Sequence, residues 1–105
     1  MFDLIKKAFG LGPTVNFAAL VAEGAQIVDV RSKEEFQGGH IKGSVNIPLQ
    51  TLSSKLTSLS KDKTVIVCCA SGIRSSSAKQ LLKSNGYTQV HNGGGWRGLQ
   101  NQISV

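Results

Sequence analysis

Acidic side chains are scarce in this sequence. Aspartate and glutamate number 6 against 12 lysines and arginines, a formal net charge of +6. Such a surface attracts anions, including small substrates, acidic partners and phosphate backbones. The bases are scattered from Lys6 and Lys7 to Arg97, however, in no run longer than two, and the single Tyr and single Trp do not interleave with them. No nucleic-acid-binding stripe is expected from that distribution. Cysteine is scarcer still: Cys68 and Cys69 are the only two, and they are adjacent. A secreted disulfide framework needs several spaced cysteines, so that class is excluded, and reduced thiols in a cytoplasmic protein are expected instead. Neighbouring residues on a strand point to opposite faces and pair badly. Two distant histidines, His40 and His91, add nothing with zinc-ligand spacing, so neither a metal nor another cofactor is expected. Long apolar runs are missing as well. No stretch approaches the ~20 residues of a membrane span. Lys6 and Lys7 interrupt the N-terminal MFDLIKKAFGLGP before it could form a signal-peptide core. Phe2, Ile5 and Phe9 there make one face of a short amphipathic turn, expected to pack on the domain or fray rather than touch a membrane or partner.

What remains is ordinary for a globular domain. The 105 residues are 40% hydrophobic with two prolines, enough for one core without disulfide or metal staples. Gly10, Gly12 and Pro13 punctuate the chain, which divides it into an extension over 1–13 and a domain over 14–105. Asn16 is placed to cap a helix through Phe17, Leu20 and Val21 that stops at Gly24, with Val15 as a short edge strand before it. AQIVDV, residues 25–30, reads as a strand buried on both faces. Ser32 and Glu35 stand in capping-box register over a short helix. Residues 44–47 form a short strand. Leu52, Leu56 and Leu59 repeat at helical spacing and predict a one-sided helix. TVIVC, residues 64–68, is the strongest strand signal. A helix is expected from Ser75 to Asn85, a last strand over 87–91, a glycine-rich loop over 92–95 and a helical tail around Trp96 and Leu99. Alternating strands and helices predict an α/β layer fold with a mostly parallel sheet.

The stretch that carries chemistry is VIVCCASGIRSSSAKQLL: a buried strand, a short loop, then a helix. Ligands of parallel α/β sheets sit at the carboxyl ends of strands. The loop begins at Cys69 and ends at Arg74, with only small residues (Ala70, Ser71, Gly72) before Ile73. Small residues let the backbone curl so that successive N–H groups converge in an anion-binding nest. The helix adds its positive end, and Arg74 is expected to add a full charge. All three favour a thiolate at Cys69 over a thiol, and the same nest suits an anionic persulfide. Cys68 lies one face away and is read as a small buried hydrophobe. Asp29 and Arg31, with Glu35, are expected to support the loops that frame the site. His40 is expected to be a hydrogen-bonded turn residue.

These residues resemble the rhodanese family in its small single-domain form, from Val15 to about Leu99. IVDVRSKEEF over 27–36 is similar to the family's first strand and the acidic-aromatic turn after it. GHIKGSVNIP over 39–48 is similar to its Gly-His-Ile segment, with Ser44 where alanine is usual. CASGIRS over 69–75 is similar to its active loop. The resemblance implies a single α/β domain: about five mostly parallel strands with helices on both faces. It implies a sulfurtransferase in which Cys69 carries sulfur and the backbone from Ala70 to Arg74 surrounds it. Its partners would be a small anionic sulfur donor such as thiosulfate, a cyanide or thiol acceptor, and an acceptor protein in a relay. Two departures stand out. Gly93-Gly94-Gly95 meets Trp96 at once, and Ala70 replaces a basic residue common at that position.

Two other classes compete. A phosphatase or arsenate reductase also uses a strand–loop–helix cysteine and an arginine, but needs a wider loop to surround a tetrahedral oxyanion. Only four residues separate Cys69 from Arg74. A binding or relay module on the same fold is the other alternative, although the cysteine and its loop are intact here.

Overall fold

A computed structural model describes residues 15–104 of the chain; the expectations for residues 1–13 lie outside the described residues. The chain alternates helix and strand. Helix α1 (Phe17–Ala22) leads to β1 (Gln26–Asp29), and α2 (Lys33–Gln37) to β2 (Val45–Asn46). Two 3-10 turns (Leu49–Ser54 and Leu56–Ser58) precede β3 (Val65–Cys69). Helix α3 (Ile73–Ser84), β4 (Val90–Gly95) and α4 (Trp96–Ile103) complete the order. Asn16 caps α1, its Oδ1 accepting from the Ala19 N–H at 3.0 Å. Ser32 and Glu35 form the expected capping box at the start of α2.

The four strands pair in parallel in the order β2-β1-β3-β4. β1 and β3 lie at the centre, and the chain leaves them toward opposite edges of the sheet. Their carboxyl ends therefore open a crevice, the usual ligand position in such sheets. Alternation along β3 divides the core in two. Val65, Val67 and Cys69 face the layer of α3 and the 3-10 turns, with Ala78, Leu82 and Leu52. Ile66 and Cys68 face the layer of α1 and α4, with Leu99, Phe17 and Trp96. Helical layers thus cover both faces, as expected.

Four expectations need correction. The sheet has four strands among the described residues rather than about five, because Val15 joins no strand. The predicted helix through Leu52, Leu56 and Leu59 is a pair of 3-10 turns. Hydroxyls there bond back three residues: Thr51 to the Pro48 carbonyl, Ser54 to Thr51 and Ser58 to Lys55. Such bonds compete with the α-helical ladder. Tyr87 Oη, 2.7 and 2.8 Å from the carbonyl oxygens of Leu56 and Leu59, pins the segment to the core. The last strand covers Val90–Gly95, so the glycine-rich segment read as a loop is the strand itself. Glycine weakens an isolated strand, but here close packing demands it. A Cβ on Gly93 would stand 2.8 Å from Leu99 and 3.0 Å from Ile66, and one on Gly95 2.9 Å from the Ala70 carbonyl oxygen. Finally, α3 begins at Ile73, two residues before the expected Ser75.

Candidate active site

Cys69 ends β3 and is almost wholly buried, 1% exposed. The chain then turns through exposed Ala70 and Ser71 to Gly72, whose φ of +100° is left-handed backbone that glycine adopts without strain. Gly72 stands at the N-cap of α3, where a side-chain oxygen would ordinarily accept from the first free amides. Glycine has none to offer. The Cys69 sulfur takes that place: its Sγ accepts from the Gly72 N–H at 2.9 Å and the Ser75 N–H at 3.4 Å. The Ser75 hydroxyl lies 3.4 Å from the same sulfur. The geometry therefore brings the loop backbone and the helix end onto one atom.

The electrostatics follow. Burial works to raise the Cys69 thiol, but the Ser75 hydroxyl and the amides of Ser75, Ser71 and Gly72 outweigh it, and the thiol sits below its ordinary value. Burial alone dominates at Cys68, with the Asp29 carboxylate adding to it, and pushes that thiol up to about 12. The two adjacent cysteines thus differ in kind, because strand alternation gives one of them hydrogen-bond donors and buries the other without them.

Arg74 behaves differently from the sequence expectation. Its guanidinium does not close on the sulfur. It forms a two-pronged pair with Glu35 at 2.6 and 2.9 Å, tying the start of α3 to α2. Glu35 is held down to about 2 by Arg74 and by the Ser32 N–H. Asp29 and Arg31 pair at 2.7 Å, and both are buried. Arg31 also donates to the carbonyl oxygens of Gly39 and Glu35 and lies 4.8 Å over the Trp96 ring. Asp29 and Arg31 thus brace the end of β1 and do not reach the sulfur. His40 stacks on Phe36 at 3.7 Å and hydrogen-bonds its carbonyl, as a turn residue. Ile73 points outward at the loop rim, 77% exposed.

Two residues at the site had no role in the sequence reading. Ser75, fully buried, enters the sequence expectations only as the start of a helix and the last residue of the CASGIRS stretch. Asn92 falls in the glycine-rich loop expected over 92–95. Its Oδ1 accepts from the Ser75 hydroxyl at 2.7 Å and the Gly94 N–H at 2.9 Å, while its Nδ2 donates to the Gly72 carbonyl at 3.2 Å. A polar residue ahead of three glycines was the available signal for Asn92. For Ser75 it was a hydroxyl in the first turn after the cysteine loop. A cavity of about 680 Å³ opens beside this cluster, lined by Ser71, Gly72, Ile73, Ser76, Ser77 and Asn92 among others. Among the described residues no group of three or more His, Cys, Asp or Glu could hold a metal ion, and no helix is long and apolar enough to cross a membrane.

Fold and site together define a parallel α/β protein that presents an amide-ringed cysteine at the crevice between its two central strands. The rhodanese-like domain pattern matches residues 15–102, and the chain belongs to that family. It is 39% identical over 74 residues to thiosulfate sulfurtransferase PspE of Escherichia coli K12, covering 69% of this chain and 71% of that one. It is 44% identical over 68 residues to the uncharacterized protein YqhL of Bacillus subtilis 168, covering 65% of this chain and about half, 54%, of that protein. Among solved structures, human single-domain sulfurtransferase TSTD1 superposes with a TM-score of 0.69 at 35% identity, covering 86% of this chain and 96% of that one.

Proposed function

We propose that the chain is a sulfurtransferase that moves a sulfane sulfur through a persulfide on Cys69. The observation that carries this reading is the convergence of the Gly72 and Ser75 amides and the Ser75 hydroxyl on Cys69 Sγ. Hydrogen bonds to a charged acceptor contribute about 1.5–3 kcal/mol each, and these favour the thiolate that attacks. With thiosulfate as donor, the Cys69 thiolate attacks the outer sulfur. An S–S bond forms to Sγ, the donor's own S–S bond breaks, and sulfite leaves with the electron pair. A cyanide or thiol acceptor then attacks the outer sulfur of the persulfide, and the thiolate returns. The loop from Ala70 to Arg74 is the anion-binding element, while Asp29, Arg31 and Glu35 support it. The basic surface suits an anionic donor, and the reduced thiols fit a cytoplasmic setting. Similarity to the thiosulfate sulfurtransferase PspE supports thiosulfate as the first donor to try.

A relay to an acceptor protein is the second reading. It is favoured by Ile73, an exposed apolar side chain on the rim of the loop.

Intact-mass measurement after thiosulfate treatment tests the proposal. A gain of one sulfur atom is expected, reversed by cyanide and absent in Cys69→Ser. Sulfur on Cys68, or none on the native protein, refutes it. Hydrolysis of an aryl phosphate without sulfur uptake would return the phosphatase alternative.

A further inference from the structure

The chain Cys69–Ser75–Asn92 contains one hydroxyl proton and two acceptors for it. Ser75 Oγ lies 2.7 Å from Asn92 Oδ1 and 3.4 Å from Cys69 Sγ. A serine has a single O–H to donate and lone pairs to accept with. When Cys69 is a thiol, both contacts are satisfied in one direction: S–H donates to Ser75, and Ser75 donates to Asn92. When the sulfur is anionic it has no proton to give, and the same contact holds only if Ser75 donates to it. Asn92 tolerates that change, because its Oδ1 keeps the Gly94 N–H at 2.9 Å and its Nδ2 keeps the Gly72 carbonyl.

We propose that Ser75 is a two-position hydroxyl switch, held by Asn92 while Cys69 is protonated and turned onto the sulfur when Cys69 is anionic. The proton that leaves is the thiol proton, which goes to solvent base; Ser75 keeps its own and only rotates it. Asn92 is the positioning residue that competes with the sulfur for that proton, so it holds the anionic form back. The inference rests on Cys69 working as an anion, as in the sulfurtransferase reading, but it is testable without sulfur transfer. The charged and titratable groups on the elements packed about the site are Cys68 on β3, Asp29 at the end of β1 paired with Arg31 just after it, and the Glu35–Arg74 pair between α2 and α3. Asn92 on β4 is uncharged, so its replacement by alanine alters the hydrogen bond without altering the local charge.

The test is the Cys69 thiol titration, followed by the pH dependence of iodoacetamide alkylation in four proteins: native, Ser75→Ala, Asn92→Ala and the double variant. Ser75→Ala is expected to raise the titration midpoint by about one unit, the size of one charge-assisted hydrogen bond. Asn92→Ala is expected to lower it. The Asn92 effect should vanish once Ser75 is alanine, because the competition then has no proton to compete for. An Asn92→Ala shift that persists in the Ser75→Ala background overturns the switch, as does an unmoved midpoint in Ser75→Ala. If Ser75→Ala does not fold, Asn92→Ala and Asn92→Asp decide: opposite shifts, down and up, are expected, and shifts of one sign overturn it. Failure of sulfur uptake with the titration pattern intact would sink the sulfurtransferase reading and leave the switch standing.

Discussion

At the scale of the residue, the site turns on one choice between two identical side chains. Cys68 and Cys69 are both fully buried, yet one meets hydrocarbon and the other a helix end. Burial leaves Cys68 protonated up to about pH 12, whereas the donors around Cys69 lower its thiol. Reactivity follows the thiolate. Native protein treated with iodoacetamide near neutral pH should therefore take up one label, on Cys69, and Cys69→Ser should take up none until it is unfolded. Peptide mapping that places the label on Cys68 would contradict the assignment. The distinction between the two cysteines was legible in the sequence, because strand alternation needs no tertiary information. The roles of Ser75 and Asn92 were not. They are 17 residues apart and meet only because β4 lies beside β3 and α3.

At the scale of the element, the strand–loop–helix unit could be read from composition, and β4 could not. Local propensity counts three glycines as a turn. The packing makes them a strand, since β4 must pass between Leu99 on one side and the cysteine loop on the other. The bulge between Val67 and Cys68 takes up Gly93, so that Cys68 pairs with Gly94 and Cys69 with Gly95. Side chains have no room along this path. Gly93→Ala should destabilise the protein by about 1–3 kcal/mol, the usual cost of overpacking a tight core. Urea unfolding would show it as a lower midpoint, and an unchanged midpoint would mean that Leu99 and Ile66 yield freely. The 3-10 turns failed for a related reason. Leucine spacing gave the right buried face, Leu52 and Leu59 included, but the serine and threonine hydroxyls between them draw the backbone off the α ladder.

At the scale of the whole molecule, two ion pairs tie the loops that follow the central strands, and they differ in depth. Asp29–Arg31 is buried, and removing either partner would strand a charge in the core. Glu35–Arg74 joins α2 to α3 with both side chains 37% exposed, so solvent screening limits it to no more than about 1 kcal/mol. Its pH dependence has a definite sign. The Glu35 carboxyl is lowered from 4.5 to about 2 in the folded protein. Its contribution is therefore complete above the unfolded value and is lost as pH falls from about 4.5 toward 2. Denaturation midpoints of native protein and Glu35→Gln should differ at neutral pH and converge through that acid range. A constant gap down to pH 2 would place the effect elsewhere. The fold class followed from the alternation of elements, and the helical cover on both faces was implied by the family resemblance. The partner of Arg74 did not, because a guanidinium near a cysteine reads as part of the anion site until a carboxylate from another helix is seen to take it.

The parity of β3 has a consequence for how this gene can drift. Side chains flip sides with every step along an extended segment, so the distance from the start of β3 to its terminal sulfur must change by even numbers or not at all. A single-codon insertion between Val65 and Cys68 would turn the Cys68 thiol toward the doorway, one residue farther along the chain from Gly72 and Ser75 than Cys69 stands. The twin cysteine is thus no spare for its neighbour.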